Sequence, residues 1–478
     1  MGCTALNPGM TARDQAVYLT DKMPAGLFGG VGVDEERVAW RLSPEPFWLS
    51  PETLGAIERL GADLLKFYRV LASLYQRSAR GTAPAFVAED LDRGKPESII
   101  KLGRQNRLKS EIPGVIRPDL ILTENGFAAA ELDSVPGGMG FVGAMAQVYC
   151  ELGFDTVGER SGMPSGLAAM LAATTGVEKP VTAFVVSEES KAYRPEIGWM
   201  AEAITQRGLG EAYACRPEDI VFTEEALFVR LPDGREEKLD AIYRNFELFD
   251  LPNVPKHELM LYAARHNRVR MTPPPKAHLE EKSTFALLHN PALATYWKRE
   301  LGEAFDRLRV LFPQTWILDP RPVPPQAFIH NIDAAGEPVR NWLQLVGLGK
   351  SERDYVVKPS GFSELAWGSR GVKVANDLTK EEWQSALESG LASFETTPYI
   401  LQRFHKGRRV KVPYYDRKAN DIAILDGRVR LCPYYFVVGE AEVRLGGILA
   451  TVAPADKRLI HGMSEAVMSP CAVREDGY

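Results

Sequence analysis

The chain has 478 residues, 45% of them hydrophobic and 25% charged, an ordinary globular composition with ample material for a core. Its net charge of -6 and pI near 5.8 give no support for binding a polyanion, and no apolar run reaches the ~18 residues that a membrane helix requires. At about 150 residues per domain, roughly three structural units fit this length.

Cys3, Cys150, Cys215, Cys432 and Cys471 are scattered without a metal-binding spacing, and an odd number at long intervals predicts a reducing compartment rather than a disulfide framework. The opening MGCTALNPGM lacks the basic and apolar regions of a secretory signal. Leu6 stands where a myristoylation signal carries Ser or Thr. The expected location is the cytoplasm.

Residues 51–77 place apolar side chains at helical intervals after a Ser-Pro start, which predicts a long amphipathic helix. RPDLILTENGFAAAEL then reads as a β-hairpin, with Asn125-Gly126 supplying the positive φ angles of its turn. Period-two alternation puts Glu131 and Asp133 on one face at the end of the second strand. Residues 180–250 form a separate block with strand–helix–strand order, a small Rossmann-like α/β unit. The proline-rich VRMTPPPKAHLEEK is expected as the linker out of it. Beyond 283 come a helix through FALLHNPALATYWKRELGEAFDRLRVL, the strand of DYVVKPSG, a glycine-bearing loop and the helix TKEEWQSALESGLASF. PYILQRF and the strands through AILDGRVRLCPYYFVVG follow, giving a mixed α+β chain with an antiparallel sheet.

Two carboxylates as close as Glu131 and Asp133 repel unless a cation or proton lies between them. Oxygen ligands at a strand end suit Mg²⁺, which takes one or two protein carboxylates, and Asp119 across the hairpin would add a third oxygen. Solvated acids on a plain hairpin are the alternative. Against that alternative, Gly137, Gly138 and Gly140 follow directly and permit close backbone approach or positive φ.

In DYVVKPSGFSELAWGSRGVKV a buried strand delivers Lys358 to a loop bearing Gly361, Gly368 and Gly371. An ammonium beside exposed backbone N–H groups is one way to hold phosphates, although the P-loop pattern is absent. Lys282 is a second candidate, its alternative being an exposed residue at a helix start. Backbone from Gln402 through Arg403 to Phe404 would meet a purine edge, or form an ordinary core strand. Arg444, before LGGILATV, would clamp an anion or make a surface salt bridge. The basic, aromatic stretch 403–418 reads as a solvated strand and turn rather than a nucleic-acid surface. His461 reads as structural, and Ser187 as a helix cap.

Taken together, RPDLIL…AAAELDSVPGGMG, EKSTFALL, YVVKPSGF…GSRGV and PYILQRF resemble the metal hairpin, first lysine, second lysine with its glycine loop, and adenine hinge of the ATP-grasp ligases. The carboxylates precede both lysines, which is the order of the circularly permuted members, the eukaryotic-type glutathione synthetases and glutathionylspermidine synthetase relatives. The resemblance implies a permuted ATP-grasp fold of mixed α/β class with a Rossmann-like substrate domain. It divides the chain into 1–175 (helical region and metal hairpin), 176–272 (substrate domain) and 273–478 (nucleotide subdomains). Mg²⁺ would be held by Glu131, Asp133 and Asp119. Lys282 and Lys358 would contact ATP phosphates, and Arg117 and Arg444 would face the transferred phosphoryl group. Two positions depart from the family: Asp133 replaces its usual Asn, and Phe362 replaces a loop Glu for which Glu364 would substitute as metal ligand.

The implied activity joins a small-molecule carboxylate to an amine through an acyl phosphate, releasing ADP and phosphate. Alternatives are a phosphotransferase that stops at a phosphorylated product, a non-catalytic ATP-grasp-like protein, and polynucleotide binding. The sequence identifies neither the acid nor the amine, nor the oligomeric state.

Overall fold

The computed structural model describes residues 3, 9–24, 26–27, 41–133, 135–366, 370–460 and 465–478. Gly368 and His461 lie outside them.

Pro51–Ala79 form one helix. Ser50 caps it, its hydroxyl accepting the Thr53 N–H at 3.2 Å, and Pro51 fills the first helical position, where an N–H would have no partner. Leu64, Phe67, Leu71 and Leu74 on its inner stripe are fully buried. Each contributes about 1.5–3 kcal/mol by leaving water.

That stripe packs on an eight-stranded sheet. In spatial order the sheet runs Arg41–Leu42, Val467–Val473, Glu442–Pro454, Asp421–Val438, Val115–Thr123, Gly126–Asp133, with Arg409–Asp416 and Phe47–Leu49 attached beside this path. Alternation along Asp421–Val438 feeds two cores. Val429, Leu431, Tyr435 and Val437 join the long helix; Cys432, Tyr434 and Phe436 join Met139–Glu151 and Gly162–Thr175 on the opposite face.

The predicted hairpin is present as Val115–Thr123 paired antiparallel with Gly126–Asp133. Gly126 takes φ 113°, whereas Asn125 stays out of the positive-φ region expected of it. Asp119 lies opposite Glu131 and Arg117 opposite Asp133, so these four side chains share one face.

Residues 181–272 contain a four-stranded parallel sheet ordered Arg270–Thr272, Ala241–Asn245, Val181–Val186, Glu211–Cys215. The first strand in sequence has the second on one side and the third on the other. Strand order reverses there, and such sheets bind ligands in the crevice beyond the carboxyl ends. A further sheet carries Lys358, in the order Thr315–Ile317, Tyr399–Arg403, Tyr355–Pro359, Lys373–Val374. The helix Lys380–Ala392 backs it through Trp383 and Leu387, which pack with Trp316, Val357 and Leu401.

Three expectations are corrected. The segment 269–282 is not a plain linker: it adds the strand Arg270–Thr272 and then runs buried, with the Lys276 ammonium donating to the carbonyls of Lys109 and Glu111 at 3.2 and 2.5 Å. Its prolines have no N–H to satisfy, which suits such a path. The stretch 285–311 is not one helix but the successive helices Thr284–His289, Ala294–Leu301 and Ala304–Leu311, interrupted at Pro291 and at Gly302 with φ 58°. Finally, Cys3 and Cys150 are joined as a disulfide across 147 residues, with Cα atoms 5.0 Å apart, against the thiol-only expectation. The other three cysteines are buried and unpaired. Among the described residues no helix is long and apolar enough to cross a membrane.

Candidate functional site

The glycines after Asp133 serve helix packing. A Cβ on Gly140 would lie 1.9 Å from the Glu196 carbonyl oxygen, and one on Gly137 would lie 2.3 Å from the Tyr193 ring. Removing both side chains lets Arg194–Gln206, from the parallel-sheet unit, close onto the start of Met139–Glu151. The Glu196 carboxylate then accepts the Gly138 N–H at 2.6 Å and the Phe141 N–H at 3.3 Å. That helix start therefore already holds an anion from the chain itself. Burial pushes the Glu196 carboxyl up to about 7, against the pull of those N–H groups.

On the hairpin face, Arg117 lies between two acids: Nε reaches Asp119 at 3.1 Å and Nη2 reaches Asp133 at 2.8 Å. Its third contact is the Gly137 carbonyl at 3.1 Å. Asp119 is 2% exposed and is also held by Arg430 Nη1 at 2.7 Å. Burial raises the Asp133 carboxyl despite Arg117, and the neighbouring carboxylates Glu131 and Asp119 add to the rise.

Both candidate lysines arrive at Glu131. Lys282 Nζ lies 3.3 Å from Glu131 Oε2 and donates to the Ala366 carbonyl at 3.2 Å; Lys358 Nζ donates to the Ala130 carbonyl at 2.8 Å. Burial opposes the charge on Glu131, but Lys282 and Lys358, then Arg117 and Arg430, hold its carboxyl below the usual range. Burial likewise opposes the charge on Lys282, and Glu131 overrides it, raising that ammonium. For Lys358 burial wins, bringing it down to about 8 even with Glu131 near.

A buried strut fixes these segments. Glu281 pairs with Lys95 and with the Ser360 hydroxyl, and accepts the Gly361 N–H at 2.9 Å. Ser360 Oγ in turn accepts the Ser283 N–H at 3.1 Å. The residue before Lys282 is thereby tied to the two residues that follow Pro359. A Cβ on Gly361 would lie 1.9 Å from the Glu280 carbonyl oxygen, and the Gly371 N–H donates to Leu365 at 2.8 Å. Phe362 packs against the core of the parallel-sheet unit, with Phe246, Leu248 and Met271.

Gln402 faces the same side of its sheet as Lys358, is 2% exposed, and donates to Thr315 Oγ1 at 3.1 Å. The N–H groups of Arg403 and Phe404 donate to the carbonyls of Gln314 and Asp354 at 2.8 and 2.9 Å. The space between Glu131, Lys282, Phe285 and Gln402 is about 10 Å³, room for about one water. A nucleotide there requires the sheets to part. Arg444 does not join the cluster: it is half-exposed, beside Glu442 near the far end of its hairpin. Glu364 is exposed, two residues before the carbonyl that meets Lys282.

As metal ligands these acids divide. Asp119 is saturated by two guanidinium groups, and among the described residues no three His, Cys, Asp or Glu side chains converge on one point. Glu131 and Asp133 are less fully enclosed, but Asp133 is held at Oδ2 by Arg117 and at Oδ1 by the Val135 N–H, and Glu131 is paired with Lys282. The pair would fit Mg²⁺ when it gives up one of these partners and phosphate oxygens complete the shell.

Sequence reading missed Arg430, Glu281, Lys95, Ser360 and Glu196. It also missed the fully buried Arg244, which pairs with Glu280 beside the crevice of the parallel sheet. There Glu247 is pushed above the usual range by burial and then by Glu280 and Asp133. Alternation in RVRLCPYY points Arg430 to the face opposite Leu431, the one signal that was available.

No family profile matches the sequence, and no curated protein matches it. Among solved structures, a glutathione synthetase like-effector from Globodera pallida, in apoform, aligns over 99% of this chain and 100% of its own, with TM-score 0.58 and 13% identity. A putative gamma-glutamylcysteine synthetase from Methylobacillus flagellatus KT aligns over 83% and 86%, with TM-score 0.39 and 13% identity. The first likeness shows a shared fold over nearly the whole chain.

Proposed function

We propose that this chain is an ATP-dependent carboxylate–amine ligase built on a circularly permuted ATP-grasp fold. The carrying observation is the meeting of Glu131, from the front of the chain, with Lys282 and Lys358, from its rear, in one partly buried cluster. The fold shared with a protein described as glutathione synthetase-like agrees with it.

In this reading Lys282 and Lys358 bind the triphosphate and neutralise charge that develops during phosphoryl transfer. Glu131 and Asp133 would hold Mg²⁺, which supplies further neutralisation when bound. Arg117 keeps Asp133 oriented and presents a guanidinium to an incoming carboxylate. The acid substrate lies in the crevice beyond Val186 and Asn245, and the loop bearing Gly361 and Gly371 shields the acyl phosphate from water until an amine attacks it.

The test is ADP release with Mg²⁺-ATP and paired panels of acids and amines. Turnover that needs both partners, reduced about 10²–10³-fold in Glu131→Gln and Lys358→Ala, supports ligation. A phosphorylated product formed without amine would instead indicate a phosphotransferase. The placement of Arg117 between Asp119 and Asp133 favours one second reading, a nucleotide-binding protein without turnover. ATP binding with no ADP release from any pair would establish that reading.

A further inference from the structure

The lysine-bearing sheet has a second opening, on its other face. Register sets Tyr355 opposite Arg403, and alternation turns both away from Lys358 and Gln402. They line a recess of about 380 Å³ together with Leu348, Asp333 and Glu352, a volume within the ~300–1,000 Å³ typical of small-molecule sites. Tyr355, 1% exposed, and Leu348, 6% exposed, lie beneath it, and its rim is polar.

The charged groups around this floor are held by their surroundings. The Arg403 guanidinium lies over the Tyr355 ring, 4.5 Å from the centroid, and forms no ion pair among the described residues. Glu352 Oε2 accepts the Gly349 N–H at 2.7 Å. Asp333 Oδ1 accepts the Gly336 N–H at 3.3 Å across a turn in which Ala335 and Gly336 have φ 54° and 84°. Each acid thus keeps a second oxygen to offer.

A simple anion drawn to Arg403 would meet two carboxylates, and a simple cation would meet Arg403. A molecule carrying both charges satisfies the whole rim. We propose that this recess binds a small zwitterion, a free α-amino acid or a dipeptide. Its carboxylate lies on Arg403 in the bidentate manner of guanidinium pairs. Its ammonium lies between Asp333 and Glu352. The site is separate from the lysine cluster and does not depend on the activity proposed above.

The experiment is ligand-observed NMR followed by calorimetry on the full chain, using the twenty free amino acids and the dipeptide Gly-Leu. N-acetyl-leucine, leucine amide, inorganic phosphate, putrescine and ATP serve as comparison ligands. The expected result is binding by at least one zwitterion, with its N-acetylated or amidated form weaker by about tenfold or more. Arg403→Gln and Asp333→Asn should each weaken that binding about tenfold, with thermal melting within a degree or two of the parent. Asp333 is exposed, so its variant stays informative if Arg403→Gln does not fold. The proposal is overturned if no zwitterion binds or if binding survives both substitutions. It is equally overturned if phosphate or putrescine binds as well as the zwitterion, or if ATP displaces it competitively.

Discussion

Lys358 shows how burial and charge compete at a single side chain. With its ammonium brought down to about 8, against about 10.4 for an unperturbed lysine, the native state gives up this proton first as pH rises. Between those values the unfolded chain binds more protons, so this residue makes stability increase with pH across that window. If ATP binds as proposed, its affinity should run the other way, because its phosphates would lose a cation above pH 8. Calorimetry from pH 7 to 9.5 should show a decline approaching tenfold per unit, and Lys358→Arg, which keeps its charge, should flatten the profile. Arg117 offers a stability counterpart. Replacing it with Gln leaves the partly exposed Asp133 without its guanidinium and the buried Asp119 with Arg430 alone, and urea unfolding should record a loss of about 1–3 kcal/mol. The sequence singled out Glu131, Asp133, Lys282 and Lys358 as candidates, and the structure brings both lysines to the end of the strand that bears the two acids. It did not disclose the roles of Arg430 and Glu281, because alternation gives a face but not a partner, and Asp119, Lys95 and Ser360 all lie far along the chain from them.

Among the structural elements, the glycines separate by what surrounds them. Gly140→Ala should destabilise by about 1–3 kcal/mol, because its Cβ would collide with the Glu196 carbonyl and push two helices apart. Gly198, inside Arg194–Gln206, has nothing within 4 Å of a Cβ, so Gly198→Ala should stabilise by about 0.5–1 kcal/mol. Thermal melts of the two variants should therefore move in opposite directions. The hairpin, the capped helix Pro51–Ala79 and the parallel strands were legible because each rests on short-range periodicity or a turn residue. The broken helix after Thr284 was not, since its apolar spacing carries on through Pro291 and Gly302. The glycine run shows the close approach and positive φ expected of it; what the sequence left unstated is that another helix makes the approach.

For the molecule as a whole, the Cys3–Cys150 bond closes most of the first third of the chain into one loop. Breaking it with Cys150→Ser should cost about 5 kcal/mol in a chain-entropy estimate, and a reductant should lower the parent's melting temperature while leaving the variant's unchanged. No spacing rule forecasts a link between cysteines so far apart, so this departure could come only from three dimensions. The two-sided sheet and the parallel unit behind the cluster were foreseeable in kind from the alternation of strands and helices, though not in spatial order.

The pairing of Lys282 with Glu131 means that the protein neutralises its own cluster. A triphosphate bound as proposed would have to evict that internal counter-ion, and the displaced carboxylate would then need a new companion. A divalent cation entering with the nucleotide would provide it at once, whereas nucleotide alone would have to draw a proton from solution. The two guests should consequently bind as a pair, each a poor ligand without the other.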